Sequence, residues 1–328
     1  MEIIGRQLEV GFGVEPTRGV APANAEVWEK NTTANITEKA EFVDDDSVHG
    51  KLEDMDGRRK IKSWVEGDLE GIVHSNSIGY LFYNLYGTIS SSFVASVGTH
   101  QFSLEQSIVH PSLAIFAKDG GVQQSVFQNG MLNTLEITAE VDNYLRYTAS
   151  FMAKDAVADA STPAYSADND FVGKEITIKL ADTEAGLSSA TAVSCKSLGI
   201  TFETGLIADH VLGAYAPEDI YNAKMSISGS ITKNFVDETF KDLFLTGAYK
   251  YALIEIVGDT KIGSTQTAPS IKLTLNKVAI TAWDRSGGAD ELVVEELEFK
   301  AYYNATDTEQ STLELKNGIE EYDEAPSA

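Results

Sequence analysis

Alternation of apolar and polar residues dominates this chain. Runs with period two, rich in β-branched and aromatic residues, lie at Ala34–Phe42, Ile61–Val73, Leu113–Ala117, Leu132–Glu140, Tyr144–Ala153, Glu175–Leu180, Ala192–Glu203, Ala223–Lys233, Tyr251–Val257, Ile271–Ala282 and Leu292–Tyr303. That period turns one side of each run toward a core and the other toward water, so each run predicts a strand. The clusters Lys118-Asp119-Gly120-Gly121, Gln128-Asn129-Gly130 and Arg285-Ser286-Gly287-Gly288-Ala289-Asp290 separate neighbouring runs and read as hairpin turns. Helical period is sparse. It predicts helices over Ile78–Tyr86 and Asn234–Leu245, the second with Phe235, Val236, Phe240, Leu243 and Phe244 near one face and Gly247 as a stop.

The order of elements repeats. Val65-Glu66-Gly67-Asp68-Leu69, followed by Tyr80-Leu81-Phe82-Tyr83-Asn84-Leu85-Tyr86-Gly87, recurs as Ile227-Ser228-Gly229-Ser230-Ile231, followed by Asp242-Leu243-Phe244-Leu245-Thr246-Gly247. Residues 111–115, 133–138 and 145–151 recur as 269–273, 276–281 and 293–302. Two like units in one chain predict quasi-symmetry, and quasi-symmetry predicts assembly. The expected organisation is an extended Gly- and Pro-rich arm over residues 1–24, a first unit over 25–154, a small polar linker over 155–169, a second unit over 170–305 and an acidic, frayed tail over 306–328. Asp44–Gly57 reads as an acidic loop.

With 328 residues the chain is long enough for two domains, each with its own core. Fifty acidic against twenty-five basic residues give a net charge of -25. That surface argues against gripping nucleic acid through its phosphates, which needs clustered Lys and Arg, yet suits a surface that nucleic acid slides past. No apolar run reaches the about 18 residues that a membrane span needs. Met1-Glu2-Ile3-Ile4-Gly5-Arg6 lacks a basic region followed by an apolar core, so no secretory signal is expected and synthesis in the cytoplasm fits. Cys195 is the single cysteine, which excludes an intramolecular disulfide and a Cys-clustered zinc site. Its alternating surroundings predict a packed thiol.

Candidate chemistry is thin. His49, His74, His100, His110 and His210 are scattered without metal-ligand spacing and read as isolated surface or loop residues. No Gly-rich loop opens a long helix, and no Gly-x-Ser-x-Gly elbow is present. Asp54-Met55-Asp56-Gly57 lacks the downstream Glu of a calcium loop, and Asp44-Asp45-Asp46 is the kind of charge run that usually faces solvent. Trp28, Trp64 and Trp283 sit in or beside strand-like runs and predict packing. Asn31, Asn35 and Asn304 head Asn-x-Thr triplets that mean little without a secretory signal. No catalytic, cofactor-binding or metal-binding residue is expected.

The opening Gly5-Arg6-Gln7-Leu8-Glu9-Val10-Gly11-Phe12-Gly13-Val14-Glu15-Pro16-Thr17-Arg18-Gly19-Val20-Ala21-Pro22 resembles the N-terminal signature of tail tube (major tail) proteins of long, non-contractile-tailed bacteriophages, in which a short strand precedes a Gly-rich arm ending in Ala-Pro. The segments 65–69 and 81–87, then His100, Phe102, 111–115 and 129–137, continue the resemblance. Val211-Leu212-Gly213-Ala214 with Pro217, then Ser228-Gly229-Ser230-Ile231-Thr232, resemble the second half. The order of these motifs carries it, from about residue 5 to 303.

The resemblance implies a virion structural protein: two tandem β-sandwich or half-barrel units, each with one short α-helix, that close into a ring barrel on assembly. Rings would stack into a hollow tube around a tape-measure protein, bounded by terminator and tip proteins, and DNA would leave through the lumen without specific binding. If each repeat supplies one unit, three chains make a pseudo-sixfold ring; one unit per chain would need a hexamer. Competing expectations are another β-rich virion binding module, such as a decoration protein or adhesin, and a glycan hydrolase built on paired carboxylates.

Site expectations therefore concern surfaces. Arg6, Phe12, Pro16 and Arg18 of the arm and Asp44, Asp45, Asp46, Asp54 and Asp56 of the acidic loop are expected to make inter-subunit or inter-ring contacts, because polar segments can order on assembly. Glu66, Asp68, Glu70, Glu136 and Glu140 are expected to face the lumen, with the outer wall as the alternative.

Overall fold

The computed structural model describes residues 4–47, 50–53 and 57–322. The first half runs through a 3-10 turn (Gly5–Gln7), β1 (Leu8–Val14), β2 (Val27–Glu29), β3 (Asn31–Asp45), β4 (Gly57–Ile72), α1 (Ile78–Tyr86), β5 (Gly87–Val94), β6 (Val97–Leu104), β7 (Leu113–Asp119), β8 (Gln123–Glu140), β9 (Arg146–Ala153) and β10 (Ala156–Ala158). The second opens on another 3-10 turn (Gly173–Glu175). It continues with β11 (Ile176–Ala181), α2 (Glu184–Leu187), β12 (Ser197–Glu203), β13 (Leu206–Asp209), β14 (Asp219–Asn222), β15 (Ser226–Asn234), α3 (Thr239–Thr246), β16 (Lys250–Val257), β17 (Ser270–Ser286), β18 (Val294–Ala301) and β19 (Ser311–Asn317).

The halves are built alike. The antiparallel pairs β1·β7, β3·β4, β4·β9, β7·β8, β8·β9 and β8·β10 recur as β11·β16, β12·β15, β15·β18, β16·β17, β17·β18 and β17·β19. Even the irregularities correspond. Register slips between Leu113 and Ile115 on β7 and between Lys250 and Ala252 on β16. It slips again between Leu132 and Thr134 on β8 and between Ile280 and Ala282 on β17. Such bulges bend a strand, and β8 and β17 each pass from one sheet into another at these points.

Gly67 pairs with Phe151 and Gly229 with Phe299, which puts the two halves in register. A Cβ added to Gly67 would lie 2.3 Å from the Phe151 ring, and one added to Gly229 would lie 2.5 Å from the Phe299 ring. The repeated apolar-x-Gly-x-apolar phrase is thus a ring seated on bare backbone, made twice. On this register the equivalents proposed from sequence for residues 111–115 and 133–138 are corrected. Leu113–Asp119 corresponds to β16 rather than to residues 269–273, and Leu132 corresponds to Ile280.

Eight strands run side by side in the order β3, β4, β9, β8, β12, β15, β18, β17. The halves join where the last half of β8 pairs with β12, Ile137 opposite Ile200. The first halves of β8 and β17 instead belong to outer sheets, β2–β1–β7–β8–β10 and β11–β16–β17–β19–β6–β5. One apolar cluster draws on all of them, including Phe12, Leu69, Ile115, Leu135, Phe151, Ile200, Phe202, Ile254 and Phe299. α1 is buried among them, as its length of apolar residues predicts. Its buried Asn84 patches the β8 bulge: Nδ2 donates to the carbonyls of Pro111 (2.8 Å) and Gly130 (3.1 Å), and Oδ1 accepts from the Leu132 amide (2.8 Å).

Several expectations are corrected. The arm is not free over Leu8–Val14: β1 is a buried strand between β2 and β7. Its glycines mark close approach, since a Cβ on Gly11 would meet Ala25 at 2.8 Å and one on Gly13 would meet Pro22 at 2.8 Å. Nor is 306–322 a frayed tail: Leu313 and Leu315 of β19 are buried, and Tyr322 is 1% exposed; residues 323–328 lie outside the described residues. The linker is tethered, with Asp159 paired to buried Lys118 at 3.1 Å and Asp168 accepting from the Asn76 and Ser77 amides at the head of α1. The second helix starts at Thr239, because Asn234 still belongs to β15 and the Asp237 carboxylate accepts from the Thr239 amide. His74, His100 and His110 are buried and hydrogen-bonded to neighbours rather than exposed; His49 lies outside the described residues. Cys195 sits outside any strand, half-buried against the core, with its thiol pKa raised by burial.

Candidate assembly surface

The eight-stranded sheet has two unlike faces because each strand alternates. The core face carries Val65, Leu69, Ala149, Phe151, Leu135, Ile137, Leu198, Ile200, Ile231 and Leu297, all buried. The other carries hydroxyls and carboxylates. One row across it reads Glu70, Thr148, Glu136, Thr201, Ser228 and Lys300, each opposite the next. Glu66, Asp68, Glu70, Glu136 and Glu140 all lie on this face and are exposed, on two strands separated only by β9. Glu203, Glu296, Glu298 and Asp284 join them, against the basic Lys39, Arg146 and Lys300.

The repeat register shows what is kept on this face. Glu66, Asp68 and Glu70 of β4 correspond to Ser228, Ser230 and Thr232 of β15, whereas Thr148 and Ser150 of β9 correspond to Glu296 and Glu298 of β18. The acids stand one strand over, yet each unit remains acidic. Sign is retained where position is not, so the property held in common is the potential of the face rather than a constellation of groups.

The junction between units is apolar. Leu135, Ile137 and Ala139 of β8 face Phe202, Ile200 and Leu198 of β12, and all six are buried. The outer members of the sheet, β3 and the last half of β17, have one hydrogen-bonding neighbour each among the described strands, β4 and β18.

The remaining expected contact residues separate. Arg6 and Pro16 are exposed, but Phe12 is 1% exposed and sealed in the core. Arg18 is held within the chain, donating to Asp219 Oδ1 (2.6 Å), the Ile220 carbonyl (2.7 Å) and the His110 carbonyl. Phe12 is therefore closed to contact with another subunit, and Arg18 has its guanidinium committed to partners within the chain. Asp44 and Asp45 end β3 and Asp46 follows, all exposed, with Arg58 3.6 Å from Asp44. Asp54 and Asp56 lie outside the described residues. The same hairpin exposes Phe42, Val43 and Ile61, and Arg58 stacks on Phe42 at 4.2 Å.

A polar hub fastens the segment after β1, and the sequence reading missed it. Buried Glu15 accepts from Ser112 Oγ (2.5 Å) and from the amides of Gly19 (2.6 Å) and Asn129 (2.8 Å). Asn129 Nδ2 in turn donates to Asp219 (2.7 Å). Burial pushes the Asp219 carboxyl up, but hydrogen bonds from Arg18 and Asn129 outweigh it and hold the group below its ordinary range. Partners 201 positions apart leave no local signal. Among the described residues no cluster of His, Cys, Asp and Glu could hold a metal ion, and no helix is long and apolar enough to cross a membrane.

A family model described as phage tail tube protein matches residues 5–301. No curated protein sequence matches the chain. Among solved structures, the SPP1 tail tube is similar at 13% identity, covering 46% of this chain and 81% of that one, with a TM-score of 0.28. The anti-feeding prophage tube-terminating cap is similar at 9% identity, with 46% and 95% covered and a TM-score of 0.30. An Hcp protein is similar at 10% identity, with 42% and 96% covered and a TM-score of 0.25.

Proposed function

The chain belongs to the phage tail tube protein family and is a structural component of the virion tail; on that premise we propose that its copies close into rings whose acidic sheet face lines a channel for DNA. The observation that carries this reading is the eight-stranded sheet with one apolar face already covered and one acidic face left open. The outer strands and α1 pack on the apolar side, so a ring with that bulk outside puts the acidic side inward. A polyanion then meets like charge along the rows that carry Glu66, Asp68, Glu70, Glu136 and Glu140, while the basic run Arg58-Arg59-Lys60 lies beyond those rows, toward the tip of the β3·β4 hairpin.

Two units per chain favour three chains per ring, with pseudo-sixfold symmetry, over six chains. Stacked rings would enclose a tape-measure protein during assembly and end at terminator and tip proteins. The role is structural rather than enzymatic, and the repeated element is a piece of wall. Negative-stain micrographs and native mass spectrometry of the purified 35.5 kDa chain test this. Hollow rings or tubes whose smallest closed species holds three chains support it. Monomer at every concentration would overturn the tube, and rings of six chains would overturn the trimer alone.

A further inference from the structure

We propose that the two outer edges of the eight-stranded sheet, Asn35–Lys39 of β3 and Ala282–Ser286 of β17, pair between copies of this chain in the register of the internal β8·β12 junction. The inference rests on the ring reading above and adds to it which residues meet.

The template is within the chain. β12 stands to β15 as β3 stands to β4, so Ile200, opposite Gly229, corresponds to Ile36, opposite Gly67. β8 stands to β9 as β17 stands to β18, so Leu135, opposite Ala149, corresponds to Trp283, opposite Leu297. In the internal junction Ile200 faces Ile137, Thr201 faces Glu136 and Phe202 faces Leu135. Carried to the outer edges, Ile36 faces Arg285, Thr37 faces Asp284 and Glu38 faces Trp283. Neither strand has a bulge over these residues, so the register transfers without a slip.

Charge complementarity supports a second copy as the occupant. The transferred register sets Glu38 diagonal to Arg285 on one face and Lys39 diagonal to Asp284 on the other, within reach of long side chains. A register shifted by one residue would turn each of these pairs to opposite faces. The β17 edge is also pre-arranged. Trp283 Nε1 donates to Glu295 (2.9 Å), whose other oxygen binds Lys233 (2.6 Å), and this ion pair is buried. Arg285 stacks over Phe235 at 5.1 Å. Ala34, Ile36 and Trp283 are half-buried against the core, as a sheet interrupted at its edge leaves them.

The two kinds of junction thus differ in character. The internal one is apolar and permanent within a chain. The outer one carries charged groups that keep an unpaired edge soluble and penalise wrong partners.

Cysteine pairs test the register in the full chain with Cys195→Ser. One variant carries Thr37→Cys with Asp284→Cys, and a second carries Ile36→Cys with Arg285→Cys. Neighbouring antiparallel pairs alternate between wide and narrow spacing, so one of the two has the closer geometry. The control, Thr37→Cys with Arg285→Cys, puts the sulfurs on opposite faces. Under mild oxidation at least one direct pair links chains about tenfold faster than the control, giving a covalent ladder that ends at a closed ring. Rings seen by microscopy without preferential linking at either direct pair would overturn the register and leave the tube intact. Absence of rings from the unsubstituted chain would overturn both.

Discussion

Gly67 lies opposite Phe151 in the β4·β9 ladder, and the phenyl ring occupies the space that a side chain on Gly67 would need. Gly229 and Phe299 repeat the arrangement, but there the Gly199 carbonyl also lies 2.3 Å from an added Cβ, whereas the carbonyl nearest Gly67 is Asn35 at 3.1 Å. A ring can swing aside more readily than a paired backbone. Gly67→Ala is expected to cost about 1–3 kcal/mol and Gly229→Ala more. Denaturant unfolding of the two variants checks the order, and equal losses would count against the backbone argument.

Tyr322 acts like a latch at the end of the described residues. Its ring meets Tyr80 at 4.9 Å and His100 at 4.8 Å, edge to face, and its hydroxyl donates to the Asn76 carbonyl (2.7 Å). Tyr322→Ala is expected to destabilise by about 3–5 kcal/mol, the range of a buried aromatic truncation. A thermal melt within a degree of the parent would refute the latch.

Glu26 sets a pH dependence near neutrality. Burial lifts its carboxyl to about 7, only partly offset by hydrogen bonds from the Val14 backbone and Tyr80, and one of its oxygens is buried without a partner. The folded state therefore holds a proton that the unfolded state releases at about 4.5. Stability is fully present below that value and falls as pH rises toward 7. Glu26→Gln should flatten this part of the stability curve, measured by urea unfolding from pH 4.5 to 8; an unchanged slope would remove Glu26 as its source.

Arg18 and Asp219 act in the opposite direction. The lowered Asp219 pKa adds stability above its unfolded pKa, lost as pH falls through the folded value. Arg18→Ala should lower stability by about 1–3 kcal/mol at pH 7, by leaving part-buried acceptors unpaired, and should weaken the acid sensitivity below about pH 4. Parallel pH profiles for parent and variant would contradict this.

Reversing the wall charge should create adhesion. Changing Glu66, Asp68 and Glu70 together to Lys alters exposed positions and is expected to leave folding nearly unchanged. The variant should retain duplex DNA at low salt and release it as salt rises, whereas the parent should not bind. Equal retention by both proteins would dismiss the repulsive wall.

Much of this architecture was legible in residue order. α1 occupies the residues that helical period marks, Ile78–Tyr86, and the strands of the large sheet fall on the alternating runs. The acids expected to act together share one face because strand alternation determines which side a residue takes. Other features escaped because composition misleads where packing is tight. Gly11 and Gly13 suggested a loose arm, yet they are small because Ala25 and Pro22 press on them. Leu313 and Leu315 sit amid acids and polar residues, and only their partners on β17 and β6 make them core. The likeness of the halves was visible at Gly67 and Gly229, but the later alignment failed because the β5–β6 hairpin between α1 and β7 has no counterpart between α3 and β16, which shifts the count without leaving a motif.

Two junctions of unequal strength would have a mechanical consequence. In a ring closed as proposed, apolar joints bridged by one continuous chain alternate with polar joints between separate chains. Under bending or torsion the wall would yield first at every second joint, so the tube would carry fault lines spaced one chain apart. The likeness of the two halves would thereby set where the wall can tear.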